Sequence, residues 1–157
     1  MYKVIQSNYE EDTGFSYVVI ETEHGKFQGY ARRHPEEPTP SNFIGCHIAE
    51  MRALLASMKY EYKMERNALK TLKHTYNILV NCADADEFGI ELRKFRKQIY
   101  LQETKVEKLK NQINCLTDRI KNYHTERQKL LNARAERQKE FEERMYRLKE
   151  IINKGQK

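Results

Sequence analysis

A chain of 157 residues with 33% charged and 39% apolar side chains and no tryptophan has too little apolar material for a thick globular core. No window approaches the roughly 20 consecutive apolar residues of a membrane span. The net charge of +6 is uneven: counting along the sequence gives −3 over residues 1–43, zero over 44–87 and +9 over 88–157.

Residues 2–33 alternate as strands do, in YKVIQ, FSYVVIETE and GKFQGYARR, separated by EEDTG and EHG, each with a glycine for a tight turn. This predicts a three-stranded antiparallel meander over residues 1–34. Three strands are marginally stable alone, so the meander needs a cover. HPEEPTPSN follows, and Pro35, Pro38 and Pro40 hold their preceding residues extended, making 35–43 a stiff linker. Two N-caps are open at its end: Thr39, with Pro40 at the first helical position, or Ser41 one step later.

Helix 1 is predicted over 44–80. Ile44, Ile48, Met51, Leu55, Met58, Tyr62, Glu65, Leu69, Leu72, Tyr76 and Leu79 step alternately by four and three, with Glu65 the one polar member of the seam. The Asn, Asp and Gly of NCADADEFG break the pattern, and residues 81–87 are short enough for an antiparallel connection. Helix 2, over 88–153, resumes it at Leu92, Phe95, Ile99, Gln102, Val106, Leu109, Ile113, Leu116, Ile120 and Tyr123, with Gln102 polar. Residues 154–157 form a tail. The predicted fold class is α+β, a small N-terminal β-meander followed by a long antiparallel coiled-coil hairpin.

The two helices differ in length, about 57 Å against about 99 Å at 1.5 Å per residue, so helix 2 outruns its partner. Beyond Tyr123 its seam reads Arg127, Leu130, Arg134, Arg137, Phe141, Arg144, Leu148 and Ile151, an apolar stripe interrupted by arginine. Three roles fit this basic part: cover for the sheet, pairing with a second subunit in a homo-oligomer, or an arm for nucleic acid.

Three widely spaced cysteines, Cys46, Cys82 and Cys115, argue against a disulfide framework. MYKVIQSNYEED has no basic run leading into an apolar one, so the expected location is the cytosol, without a membrane partner. No phosphate-binding loop, dinucleotide fingerprint, nucleophile elbow or zinc-protease helix is present, and the expectation is a protein without catalysis or cofactor. Cys46-His47 has ligand chemistry for zinc but lacks two further ligands at a recognisable spacing, and reads as helix surface.

The strongest functional candidate is the junction of strand, linker and helix. Arg32, Arg33 and His34 precede a helix N-terminus, where free N–H groups and the dipole favour an anion. Asn42 and Arg52 can add donors, and Tyr17 or Tyr30 can stack on a base. The ligand-binding set is therefore Tyr30, Arg32, Arg33, His34, Asn42 and Arg52. The competing reading is that the arginines end an exposed strand, discourage edge pairing, and bridge to Glu36, Glu37 or Glu50.

The run from Gly29 to Glu37, GYARRHPEE, followed by Gly45 and by Ala49-Glu50-Met51-Arg52-Ala53, resembles a pattern in small accessory proteins of bacteriophages that infect Gram-positive bacteria. The layout is also similar to phage Thoeris anti-defence sponges, oligomers that sequester a cyclic ADP-ribose-type signal. The resemblance implies a counter-defence protein in the host cytoplasm that holds a signalling nucleotide or binds a host defence protein directly. A structural or adaptor coiled-coil oligomer, and a nucleic-acid-binding accessory protein using helix 2, are the alternatives.

Overall fold

A computed structural model describes residues 1–33, 41–82 and 89–154 of the chain. Strands β1 (Lys3–Glu10), β2 (Phe15–Thr22) and β3 (Gly25–Ala31) form an antiparallel sheet in the order β1-β2-β3, and helices α1 (Asn42–Cys82) and α2 (Gly89–Lys154) follow. The fold is α+β, as the periodicity predicts. Helix α1 is longer than predicted, beginning at Asn42 inside the predicted linker and ending at Cys82, while α2 has the predicted length of 66 residues and is shifted by one, from Gly89 to Lys154.

Ser41 is the N-cap of α1, because its carbonyl accepts the Gly45 N–H at 3.0 Å, the first bond of the helix. Thr39 and Pro40 lie outside the described residues. The chain divides into two compact units, Met1–Ile120 and Lys121–Lys157. The second is the distal part of α2, which exposes Phe141, Met145 and Tyr146.

Alternation along β2 sends Ser16, Val18 and Ile20 toward α1, where all three are fully buried. The helix meets them with Ile44, Ile48, Ala49, Met51 and Ala53, also buried. Gly45, Ala49, Ala53 and Ser57 recur every fourth residue and form a ridge of small side chains on the sheet side. A methyl group at Gly29 of β3 would overlap the Ala49 carbonyl oxygen and lie 2.5 Å from the Ala53 nitrogen. One at Gly45 would overlap the Ser16 hydroxyl. Backbone thus lies against backbone, and the glycines and alanines of the motif are packing residues. Further along, Tyr60 covers Phe27 and His24, with ring centroids 5.7 and 6.2 Å away.

The close fit leaves a polar orphan. Among the described residues Ser16 Oγ is buried without a hydrogen-bond partner, as is the hydroxyl of its cross-strand neighbour Tyr9. An unmade hydrogen bond at a buried hydroxyl is a cost, so Ser16→Ala is expected to raise stability by up to about 1 kcal/mol, read by denaturant unfolding.

The remainder of α1 pairs antiparallel with α2. In α2 from Leu92 to Tyr123, every described residue that is half-buried or buried, apart from Thr117, belongs to the seam read from the sequence, and Leu109 is the most enclosed. The two polar seam residues meet: Gln102 Nε2 donates to the Glu65 carboxylate and, at 3.1 Å, to the Glu65 main-chain oxygen. Lys105 Nζ donates to the other carboxylate oxygen at 2.5 Å. Arg96 Nε reaches the Tyr76 hydroxyl at 2.5 Å, and Lys73 bridges to Glu103 at 2.6 Å on the seam flank.

Candidate functional site

The face of the sheet turned away from α1 carries the alternate residues, among them half-buried Phe15 and Tyr17 and buried Val19 of β2 and exposed Gln28 and Tyr30 of β3, so it is accessible at its Tyr30 side. Tyr17 and Tyr30 are register partners with ring centroids 5.1 Å apart. Phe15 stacks on Tyr30 at 5.9 Å with 29° between the planes. These three rings form an aromatic surface, and Tyr30 is 46% exposed at its centre. The Tyr30 hydroxyl donates to Gln28 Oε1 at 2.7 Å, which fixes the ring's tilt.

The ladder continues past the end of β3, where the Arg33 N–H donates to the Gly14 carbonyl at 2.9 Å. Since Ser16 pairs with Ala31, the same register sets Arg32 opposite Phe15, on the aromatic face. Arg32 is exposed, and its register assigns it to the edge of the face that carries the three rings. Two carboxylates share the face: Glu21 lies at its far end, in register with Lys3 and Lys26, and Glu10 is the partner of Phe15 on the β1 side, where the Thr13 hydroxyl bonds it at 2.5 Å. The arrangement suits a planar ring with an anionic substituent, through stacking and charge-assisted hydrogen bonds.

Arg52 does not extend toward this face. Its Nη1 donates to the main-chain oxygen of Tyr30 at 2.6 Å, tying α1 to the outer edge of β3. Asn42 lies in the first turn of α1, and its side-chain oxygen accepts from the Cys46 thiol at 3.0 Å. Ten residues separate Asn42 from Arg52, about 15 Å of helix, so the helix N-terminus and Arg52 do not converge on one ligand. Register places Tyr30 and Arg32 on one face, whereas Arg33 stands opposite Gly14 on the other face, against which its Cβ packs, and Arg52 touches only the backbone. His34 lies outside the described residues.

Phe15 escaped the sequence reading although it anchors the platform. Alternation places it on the same face as Tyr17, but its contact with Tyr30 depends on register. Cys46 and His47 are engaged separately. The thiol accepts from the Ser7 hydroxyl at 3.3 Å, while His47 stacks on Phe43 with centroids 6.3 Å apart. At the other end of the sheet's helix face, the Tyr2 hydroxyl donates to Glu50 at 2.7 Å, and this bond to a carboxylate pushes its pKa up. Glu50 is thereby occupied.

Among the described residues no helix is long and apolar enough to cross a membrane, and no three His, Cys, Asp or Glu side chains come together as a metal-ligand group. Comparison of the chain with family models, curated proteins and solved structures gives no match.

Proposed function

We propose that this is a non-enzymatic binding protein of phage counter-defence, which sequesters an anionic signalling nucleotide on the open face of its sheet. The observation that carries the reading is the Phe15, Tyr17 and Tyr30 platform with Arg32 at its rim. A base stacks on aromatic rings whatever its identity, and a guanidinium pairs with phosphate in two parallel hydrogen bonds. The counter-defence setting comes from the resemblance of the GYARRHPEE run. On this face the ligand set is Tyr30 and Arg32, extended by Phe15 and Tyr17; Arg33 stands on the other face at the strand end, and His34 lies outside the described residues. Arg52 acts through the strand it holds and Asn42 through its helix turn.

A coiled-coil oligomer is the complementary reading. Met64, Ala68, Thr71, Thr75 and Ile78 form an uncharged stripe along α1, and Met64 and Ile78 are about half exposed. Such a stripe on a helix suits a second copy.

Native mass spectrometry of protein expressed in a bacterium with active nucleotide-signalling defences tests both readings in one spectrum. A nucleotide retained by the native protein and released intact on denaturation is expected. Arg32→Ala with Arg33→Ala should lose that mass while helical circular dichroism stays unchanged. A clean oligomer that carries nothing, and instead retains a host protein in pull-down, shifts the function to direct inhibition.

A further inference from the structure

All six basic residues of α1, Arg52, Lys59, Lys63, Arg66, Lys70 and Lys73, lie on one stripe of the helix, stepping by seven, four, three, four and three. None of its three acids does: Glu50 and Glu65 are engaged by Tyr2, Gln102 and Lys105, and Glu61 sits on the opposite flank of the seam, beside Lys105. The charge of this helix is therefore not mixed over its surface. It is segregated, although the net charge of residues 44–87 is zero.

All six stripe residues are exposed. Arg52 is committed to the Tyr30 carbonyl and Lys73 to Glu103. Lys59, Lys63, Arg66 and Lys70 have no ion pair or hydrogen bond among the described residues. Across the seam the facing flank of α2 carries Arg96, whose guanidinium carbon lies 5.7 Å from the Tyr76 ring centroid, exposed Tyr100, and further on Glu103, the acid that Lys73 takes. From Lys59 to Lys73 the cations follow each other about 5 Å apart along an axis of about 21 Å. That spacing is of the order of the separation between successive phosphates on one nucleic-acid strand.

We infer that this stripe of α1 is a docking surface for the phosphate backbone of nucleic acid, distinct from the sheet face. The occupant follows from charge complementarity: a straight row of uncompensated cations with no acid among them matches a regular row of anions. Each contact releases condensed counterions, which supplies affinity without reading sequence. Tyr100, at the stripe's margin, offers a ring to an unpaired base. Among the basic elements this differs from the distal part of α2, where acids alternate with bases, as in QKEFEERMYR.

The test is fluorescence anisotropy with a labelled 25-base-pair duplex and a 25-nucleotide single strand, titrated with the full chain from 50 to 200 mM salt. Four free cations predict a slope of log affinity against log salt of about −3.6 for the duplex and about −2.8 for the single strand. Lys63→Glu with Lys70→Glu should reduce the slope by about 2 on the duplex and weaken binding on both probes equally for different base sequences. Lys139→Glu with Arg147→Glu, in the distal part of α2, should leave the slope unchanged. Binding that survives the α1 reversal but fails with the α2 reversal overturns the assignment. So does binding to poly-glutamate with none to either nucleic acid, which would make the partner an acidic protein. Unchanged circular dichroism in both variants separates lost docking from lost fold, and Arg32→Ala with Arg33→Ala keeps this test independent of the nucleotide site.

Discussion

Gly29→Val should lower the melting temperature by about 10 °C, with loss of the helix-on-sheet contact before loss of the hairpin. The reason is backbone geometry. The Cβ of any other residue at Gly29 meets the Ala49 carbonyl oxygen and the Ala53 nitrogen, atoms that no rotamer change can move. The helix must therefore lift from β3, and Ile48, Ala49, Ala53 and Val18 all lose contact together. Overpacking of a core costs about 1–3 kcal/mol, and at this chain length each kcal/mol is worth about 2–4 °C. Gln28→Val, on the open face one residue away, should be close to neutral. A melting curve for Gly29→Val that overlays the parent curve would show that helix and sheet are not in backbone contact.

The second large effect lies in the seam. Replacing both Glu65 and Gln102 by leucine should stabilise the hairpin by about 1–3 kcal/mol, since an apolar pair fills the layer without a desolvated carboxylate. The same change should cost uniqueness, because a lone polar layer fixes register. Size-exclusion chromatography should then resolve more than one species. Either residue replaced alone removes the side-chain bond between them, leaving Gln102 with the main-chain oxygen of residue 65 or Glu65 with Lys105 alone, and should destabilise.

The polar layer also carries a pH signature. The hydrogen bond from Lys105, then that from Gln102, holds the Glu65 carboxyl below its ordinary value of 4.5. A depressed carboxylate contributes stability that is complete above the unfolded value and is lost as pH falls through the folded one. Glu65 likewise holds Lys105 above its ordinary 10.5, so the lysine's share is complete below that value and lost as pH rises further. The melting temperature of the parent chain should fall relative to Glu65→Gln below about pH 4.5, and the two should run parallel from there to the alkaline limb. Parallel curves through the acid range would remove the ion pair from the account.

The seam was readable from sequence because it depends on period alone. Leu92 to Tyr123 needs no knowledge of a partner to be seen as one stripe, and the oddity of Glu65 and Gln102, each noticed on its own helix, is resolved when they meet. The ridge of Gly45, Ala49, Ala53 and Ser57 was not readable in that way. Small residues carry little hydropathy, and their purpose appears only with Gly29 opposite. Arg52 illustrates the same limit, since its bond to the Tyr30 carbonyl requires a helix laid along an edge strand. The basic stripe on α1 is invisible in the zero net charge of residues 44–87 and exists only in the arrangement of charges around the helix axis.

The guanidinium of Arg52 has a consequence for how copies of this molecule can meet. It takes the outward carbonyl of Tyr30 and stands across the β3 edge, whereas among the described residues no side chain is shown bonded across the β1 edge, which is interrupted only by its bulge at Ile5. A sheet that can be extended on one side only has a growth functionality of one. Two such sheets joined through β1 consume each other's open end, and no further copy can add. Edge pairing in this architecture is a chain-terminating reaction: its largest product is a pair, whatever the concentration, and a fibre would first require Arg52 to let go.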